Sequence, residues 1–154
     1  MSKLKAALWA GGIAVVLNRL VLLGADLIGL PTAKGGLIPF LETATGYPAS
    51  KEAAFEPTFY VIVGIGMALV YAGFVEQHLP GKAWLKGLIC AVVTWLLNAA
   101  YILPATGQGF AGLRSLTVPG VIWFAAAHTL FFVVMAVLYE RLQKPTSADT
   151  ASQA

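Results

Sequence analysis

Four polar side chains interrupt long apolar stretches of this chain: Asn18, Arg19, Asn98 and His128. Amide, guanidinium and imidazole groups are costly in hydrocarbon, so within a membrane they face the protein interior and pair with each other or with a ligand. Such a set can join helices by hydrogen bonds or bind the polar end of a lipid or a quinone-like ring, and an imidazole can also ligate haem iron. The choice depends on the elements that carry these side chains.

The polar residues lie on four apolar stretches of about 20 residues, the length that a helix needs to cross a hydrocarbon core of about 30 Å. Because the bilayer offers no water to backbone groups, such stretches fold as helices. The composition agrees, with 58% hydrophobic and 11% charged residues, where soluble domains have roughly 25% charged residues. The sequence predicts an all-α membrane protein with four transmembrane helices in two hairpins, at about residues 4–30, 58–79, 84–103 and 118–142.

The helical rise places the polar side chains at one depth. Asn18, Asn98 and His128 each lie about 14 residues, or about 21 Å, from the cytoplasmic end of their helix, and Arg19 follows Asn18. Trp95 lies about one turn below Asn98. We therefore predict that these five residues form a polar layer in the outer half of the membrane, as the candidate ligand-binding residues.

The polar layer has a structural interpretation and a functional one. In the structural interpretation, Asn18 and Asn98 bridge the hairpins and His128 forms a hydrogen bond with a neighbouring group. Arg19 extends toward the headgroups, where Asp26 is within its reach. In the functional one, the layer surrounds a bound lipid, quinone or small amphiphile.

Two glycines of the second helix, Gly64 and Gly66, lie at the same level as the polar layer. Glycine has almost no bulk, so it allows another backbone or a ligand to come close.

The distribution of lysine and arginine predicts the topology. Positive residues in short loops mark the cytoplasmic side, and they cluster before the first helix, between the second and third, and after the fourth: Lys3, Lys5, Lys82, Lys86, Arg141 and Lys144. Both termini are therefore expected in the cytoplasm of a bacterium, with the protein as a multi-pass component of its inner membrane. The net charge of +3 then reflects topology and attraction to anionic headgroups, without a nucleic-acid partner.

The remaining segments complete one domain at residues 1–144. The outer loop at 31–57 contains the apolar run GLIPFLETATGYP, which is too short to span and is expected to lie in the interface or to fold back as a cap. Residues 145–154 are small and polar and predict a disordered tail. A signal peptide is the alternative for the N-terminus, but a clear small-x-small cleavage site is lacking, which favours a retained helix.

The two hairpins have similar sequences. LKAALWAGGIAVVLN opens the first and LKGLICAVVTWLLN opens the second, Pro57 and Pro119 begin the following helices, and Glu76 matches Glu140 near their ends. A tandem duplication of a two-helix unit accounts for these matches, and chance similarity between low-complexity membrane segments is the alternative.

The second hairpin, GKAWLKGLICAVVTWLLNAAYILPATGQGFAG, leads into a helix that contains His128 and ends in LYERL. It resembles a group of small, uncharacterised bacterial integral membrane proteins, which share a P-x-x-G-x-G-F turn before a final helix with a histidine. Here the turn residues are Pro104, Gly107, Gly109 and Phe110. The resemblance implies four helices and a cytoplasmic-membrane setting, and it implies no activity.

The sequence favours a non-catalytic protein. It contains no glycine-rich phosphate loop, nucleophile elbow or paired-histidine metal motif, and we predict no catalytic residue, metal or cofactor. The leading hypothesis is an accessory or structural subunit that packs against a larger respiratory or photosynthetic membrane complex, with other membrane subunits or further copies of this chain as partners. The alternative is a binding or transport module for a lipid, quinone or small amphiphile, and a third is a membrane enzyme or haem carrier centred on His128.

Overall fold

The structure is a computed structural model that describes residues 1–33 and 36–143. In these ranges the regular elements are helical and no strand occurs. All of the helices except the second are long and apolar enough to cross a membrane, which confirms the predicted all-α fold with four long apolar helices and suggests a multi-pass membrane protein. The five helices are α1 (Lys3–Leu27), α2 (Leu37–Thr45), α3 (Phe55–His78), α4 (Ala83–Ala105) and α5 (Val118–Gln143). The predicted tail at 145–154 lies outside the described residues.

The first helix ends earlier than the sequence pattern predicts. Gly29 adopts a positive φ of 67°, and the N–H of Leu30 donates back to the carbonyl of Ala25 at 2.9 Å. This arrangement is a Schellman motif, in which a left-handed glycine satisfies the last carbonyls of a helix. The prediction that α1 extends to residue 30 is therefore wrong, because the glycine stops it at Leu27.

The loop between the first two spanning helices contains a helix that the sequence analysis did not predict. α2 occupies its middle, and α3 begins at Phe55 rather than Thr58, so that Pro57 is the third helical residue. At the other helix ends, prediction and structure differ by at most two residues.

α2 folds back onto the end of α4. A Cβ added to Gly36, just before α2, would lie 2.8 Å from Cδ2 of Leu103, so the two segments are in close contact. The rings of Phe40 and Tyr101 lie 5.6 Å apart. The loop therefore covers the side of the bundle that is opposite the termini, which we call the loop side.

The bundle is asymmetric. α1 packs against α3 and α5, and α5 packs against α1 and α4, whereas α3 and α4 have no comparable contact in the described ranges. Near the termini, Lys86 joins α4 to α3. Its Nζ donates to the backbone carbonyl of Glu76 at 2.8 Å and lies 3.4 Å from Oε1 of the same residue. The hairpins therefore do not pack as symmetric copies, and the duplication hypothesis stays a prediction.

Small side chains form most of the buried face of α1, and larger ones from α3 and α5, among them Tyr71, Phe131 and Tyr139, pack in the same core. The buried face of α1 consists largely of alanines with no exposed surface, while its larger apolar side chains point away from the bundle. Backbones can approach closely where such small residues meet. The fully buried alanines of α1 are Ala6, Ala7, Ala10, Ala14 and Ala25, and the exposed residues include Leu4, Leu8, Trp9 and Ile13.

The tightest contact between α4 and α5 lies at Gly87. A Cβ at this position would lie 2.6 Å from the carbonyl oxygen of Phe132 and 2.8 Å from Cα of Val133. Both atoms belong to the backbone of α5, so a rotamer change cannot relieve the clash.

The substitution Gly87→Ala is expected to destabilise the protein, because α4 must move away from α5 to accommodate one methyl group. Overpacking of this kind costs about 1–3 kcal/mol, and the better helix propensity of alanine offsets up to about 1 kcal/mol. Unfolding by a denaturing detergent, followed by circular dichroism, measures the change. Gly66→Ala is the matched control, since a Cβ there meets nothing within 4 Å, and equal stabilities of the two variants would contradict this packing.

Candidate functional site

A cavity of about 280 Å³ opens between α1, α3 and α5 toward the loop side. Its volume is close to the lower end of the range for small-molecule sites, which begins at about 300 Å³. The wall is largely apolar, with contributions from Val15, Leu22, Val63, Met67, Phe124 and Phe131 among others. Five polar residues also line it: Asn18, Arg19, Tyr60, Asn98 and His128.

Four of the five predicted site residues thus lie around one cavity, and Trp95 does not. α4 is held against α5 and away from α3, so Asn98 is the only α4 residue that reaches the cavity. Trp95 comes three positions earlier and is rotated by about 60° around the helix axis. Trp95 therefore does not line this cavity together with Asn98, and a part for it in ligand binding stays a prediction.

Asn18 forms a bridge between the two hairpins, as the structural interpretation expects. Its Nδ2 donates to the carbonyl of Ala127 on α5 at 2.8 Å. One turn further along the interface, Nε1 of Trp123 donates in the opposite direction, to the carbonyl of Val21 at 2.9 Å. These two hydrogen bonds join α1 and α5 beside the cavity.

Asn98 does not bridge the hairpins through its amide nitrogen. Nδ2 donates to the carbonyl of Thr94, one turn earlier in the same helix, at 3.0 Å. Asn98 also begins the π-helical turn Asn98–Ile102, and such turns widen a helix locally and are frequent at functional sites. The buried side chain is therefore fixed by its own helix and lies at the cavity wall.

His128 is held in a similar way on α5. Nδ1 lies 3.3 Å from the carbonyl of Phe124, and the two rings are in contact, with centroids 4.3 Å apart. Since a carbonyl oxygen only accepts hydrogen bonds, Nδ1 carries the proton in this pairing and Nε2 of the neutral ring is an acceptor. The imidazole therefore adds an acceptor to the set of groups around the cavity.

Arg19 pairs with a residue that the sequence analysis did not single out. Its Nη1 lies 3.7 Å from Oε1 of Glu56, near the start of α3, and the two side chains are 41% and 45% exposed. Asp26 was the partner expected from the sequence, and Glu56 is a partner that the helical pattern did not predict. The loop brings the start of α3 to the level of Arg19. A helical pattern in the sequence does not predict that Arg19 and Glu56 lie close together.

A second cavity adjoins the first at the loop side. It is lined by Glu56, Tyr60 and Gln108 together with residues around the start of α2. Gly36 and Tyr60 line both cavities, so the two spaces lie next to each other at these residues. The combined site has an apolar inner part and a more polar outer part.

The two glycines predicted to allow close approach behave differently. Gly64 is buried against α1, where an added Cβ would lie 2.1 Å from Cγ2 of Val15, and it also lines the cavity. Gly66 has nothing within 4 Å of such a Cβ. The prediction is correct for Gly64 and wrong for Gly66, which faces away from the other helices.

Four polar or aromatic residues at or beside the site went unrecognised in the sequence: Glu56, Tyr60, Gln108 and Trp123. Glu56 and Tyr60 are four residues apart, the spacing that places two side chains on one helical face, so a signal for that pair was present. Trp123 carries an indole N–H that needs an acceptor when it is buried, but its partner is a backbone carbonyl, which no sequence pattern identifies.

Comparison with known proteins adds no constraint to the site, since the chain matches no protein-family model, no curated protein and no solved structure. Within the described residues, no three histidine, cysteine or acidic side chains lie together as a metal site would require. The case for function rests on the geometry of the cavities.

Replacing Asn18 with alanine is expected to weaken the contact between α1 and α5 while leaving the fold intact. Interhelical side-chain hydrogen bonds in membrane proteins contribute about 0.6 kcal/mol on average and up to about 1.7 kcal/mol, and we expect a loss of that size for Asn18→Ala. Detergent-induced unfolding measures it. Leu17→Ala, on the exposed face of the same helix, is the control, and a larger loss in the control than in Asn18→Ala would argue against the hydrogen bond as a stabilising contact.

Proposed function

We propose that this protein binds one amphiphilic molecule, a lipid or a quinone, within a bacterial inner membrane. The observation that carries the proposal is the coincidence of a cavity between the helices with the polar layer: Asn18, Arg19, Asn98 and His128 all line the same mostly apolar space. An apolar pocket with a few convergent polar groups is the usual form of a small-molecule site.

The distribution of side chain sizes supports insertion in a bilayer. α1 buries mainly alanines, and the helices expose many large apolar residues, such as Trp9, Phe74 and Val93, each more than 60% exposed. In water this arrangement would leave extensive apolar surface uncovered, whereas hydrocarbon solvates it. The positions of the lysines support an orientation with both termini in the cytoplasm and the cavities toward the outer leaflet. The resemblance to small bacterial four-helix membrane proteins agrees with this setting.

The hydrogen bonds of the polar layer support a ligand over a purely structural role. The amides of Asn18 and Asn98 use their nitrogens to reach backbone carbonyls. Among the described residues, no donor is hydrogen-bonded to the side-chain oxygen of either. Polar groups at membrane depth normally find partners, and a ligand with a hydroxyl or ammonium group could donate to these two oxygens.

The accessory-subunit hypothesis stays a second prediction. Its basis is the exposed apolar surface, for example the outer face of α4 around Val93 and Leu97. Lipid covers such a surface as readily as a partner subunit does, so this feature favours neither occupant. The cavity distinguishes the two hypotheses, because a structural subunit has no need of one.

Filling the cavity is expected to remove the ligand. Val63 lines the cavity, and Val63→Phe should lower the amount of copurified lipid or quinone several-fold, as measured by native mass spectrometry after extraction in a mild detergent. Val93→Phe is the matched control, because Val93 is 62% exposed on α4 and its variant should retain the ligand. A wild-type protein that carries no lipid or quinone would contradict the proposed function, and comigration with a larger complex would favour the accessory subunit.

The proposed orientation makes a separate prediction. In a protein with Cys90→Ala, a cysteine introduced by Ser50→Cys in the loop before α3 should react with a membrane-impermeant maleimide in spheroplasts. One introduced by Ser2→Cys should react only after the membrane is permeabilised. The reverse pattern would place the cavities in the cytoplasmic leaflet.

A further inference from the structure

The charged groups at the junction of the two cavities identify the kind of headgroup that the site would take. We infer that the ligand is a zwitterionic phospholipid of the ethanolamine type, with its acyl chain in the inner cavity, its phosphate at Arg19 and its ammonium at Glu56. This inference rests on the proposed function, and it names the ligand class of that site.

The first argument is the position of the two charges. Arg19 lines the apolar inner cavity, and Glu56 lines the polar outer cavity. A ligand that extends from one space to the other therefore passes both a cation and an anion. An acidic lipid would bring its phosphate to Arg19 and offer no cation to Glu56, whereas a neutral quinone would leave the two side chains paired with each other.

The second argument is that the ion pair is easy to open. The 3.7 Å between Nη1 and Oε1 is longer than the roughly 2.8 Å of a direct charge-assisted hydrogen bond. Both side chains are more than 40% exposed, and exposed pairs of this kind contribute only about 0–1 kcal/mol to stability. A phosphate and an ammonium group can replace the weak mutual contact by two charge-assisted bonds.

The third argument is the arrangement of neutral polar groups around the same point. Tyr60 lies between the two cavities and lines both, and Gln108 lines the outer one. Nε2 of Gln108 donates to Oγ1 of Thr106 at 2.9 Å, and the oxygen of the same amide can accept from an ammonium group. The outer cavity therefore offers a second acceptor, in addition to the carboxylate of Glu56, for the positive end of a zwitterion.

The test is a competition between two headgroups. The full-length protein is reconstituted in nanodiscs with equal amounts of phosphatidylethanolamine and phosphatidylglycerol and then extracted in a mild detergent, and native mass spectrometry counts the lipids that remain bound. We expect phosphatidylethanolamine to be enriched over phosphatidylglycerol. Glu56→Gln, which keeps the shape of the side chain, should lower that enrichment about tenfold, the ratio for the loss of about 1.4 kcal/mol.

Two further variants distinguish the effect of Arg19 on lipid binding from that of Glu56, and both from a general effect of charge in the loop. Arg19→Gln should weaken both lipids alike, because both carry a phosphate, and should leave their ratio unchanged. Glu52→Gln, an exposed glutamate that lines neither cavity, should change neither the ratio nor the total.

The outcomes distinguish this inference from the proposed function. Retention of both lipids without preference, enrichment of phosphatidylglycerol, retention of a quinone, or an unchanged ratio in Glu56→Gln would each overturn the headgroup assignment and leave amphiphile binding in place. A wild-type protein that retains no lipid or quinone would overturn both.

Discussion

The contact between α1 and α5 is the interaction on which the rest of the structure depends. α1 contributes a face of alanines without exposed surface, and two side chains, Asn18 and Trp123, donate across the interface to backbone carbonyls. Since neither hydrocarbon nor a leucine side chain drives helices together in a bilayer, close backbone approach and hydrogen bonds must supply the attraction. This contact joins the two hairpins.

The cavity follows from the unequal packing of the four long helices. α5 holds α4 on one side and α1 holds α3 on the other, so that α3 and α4 remain joined mainly through Lys86 and Glu76 near the termini. Toward the loops, the space between the helices is bounded by α1, α3 and α5, while α2 packs on the end of α4. The polar layer lines this space because its members point inward, away from hydrocarbon. The same physical rule that places polar groups inside the bundle thus assembles the candidate site.

Much of the architecture could be predicted from the sequence. The lengths of the apolar stretches predict the four long helices. The helical rise predicts that Asn18, Asn98 and His128 lie at one level, and all three line one cavity in the structure. Backbone conformation was harder to predict: the positive φ of Gly29 ends α1 early, and α2 forms within a stretch that reads as a loop. The pairing of Arg19 with Glu56 and the position of Trp95 depend on loop path and helix rotation. Both are tertiary properties, so periodicity alone could not resolve them.

The most direct measurement is a cryo-electron microscopy map of the protein in a nanodisc that contains phosphatidylethanolamine, with a fiducial binder added because the chain is small. The account predicts an elongated density in the cavity between α1, α3 and α5, with its polar end beside Arg19 and Glu56. A well-resolved bundle in which side chains fill that space, with no room for a ligand, would contradict the account.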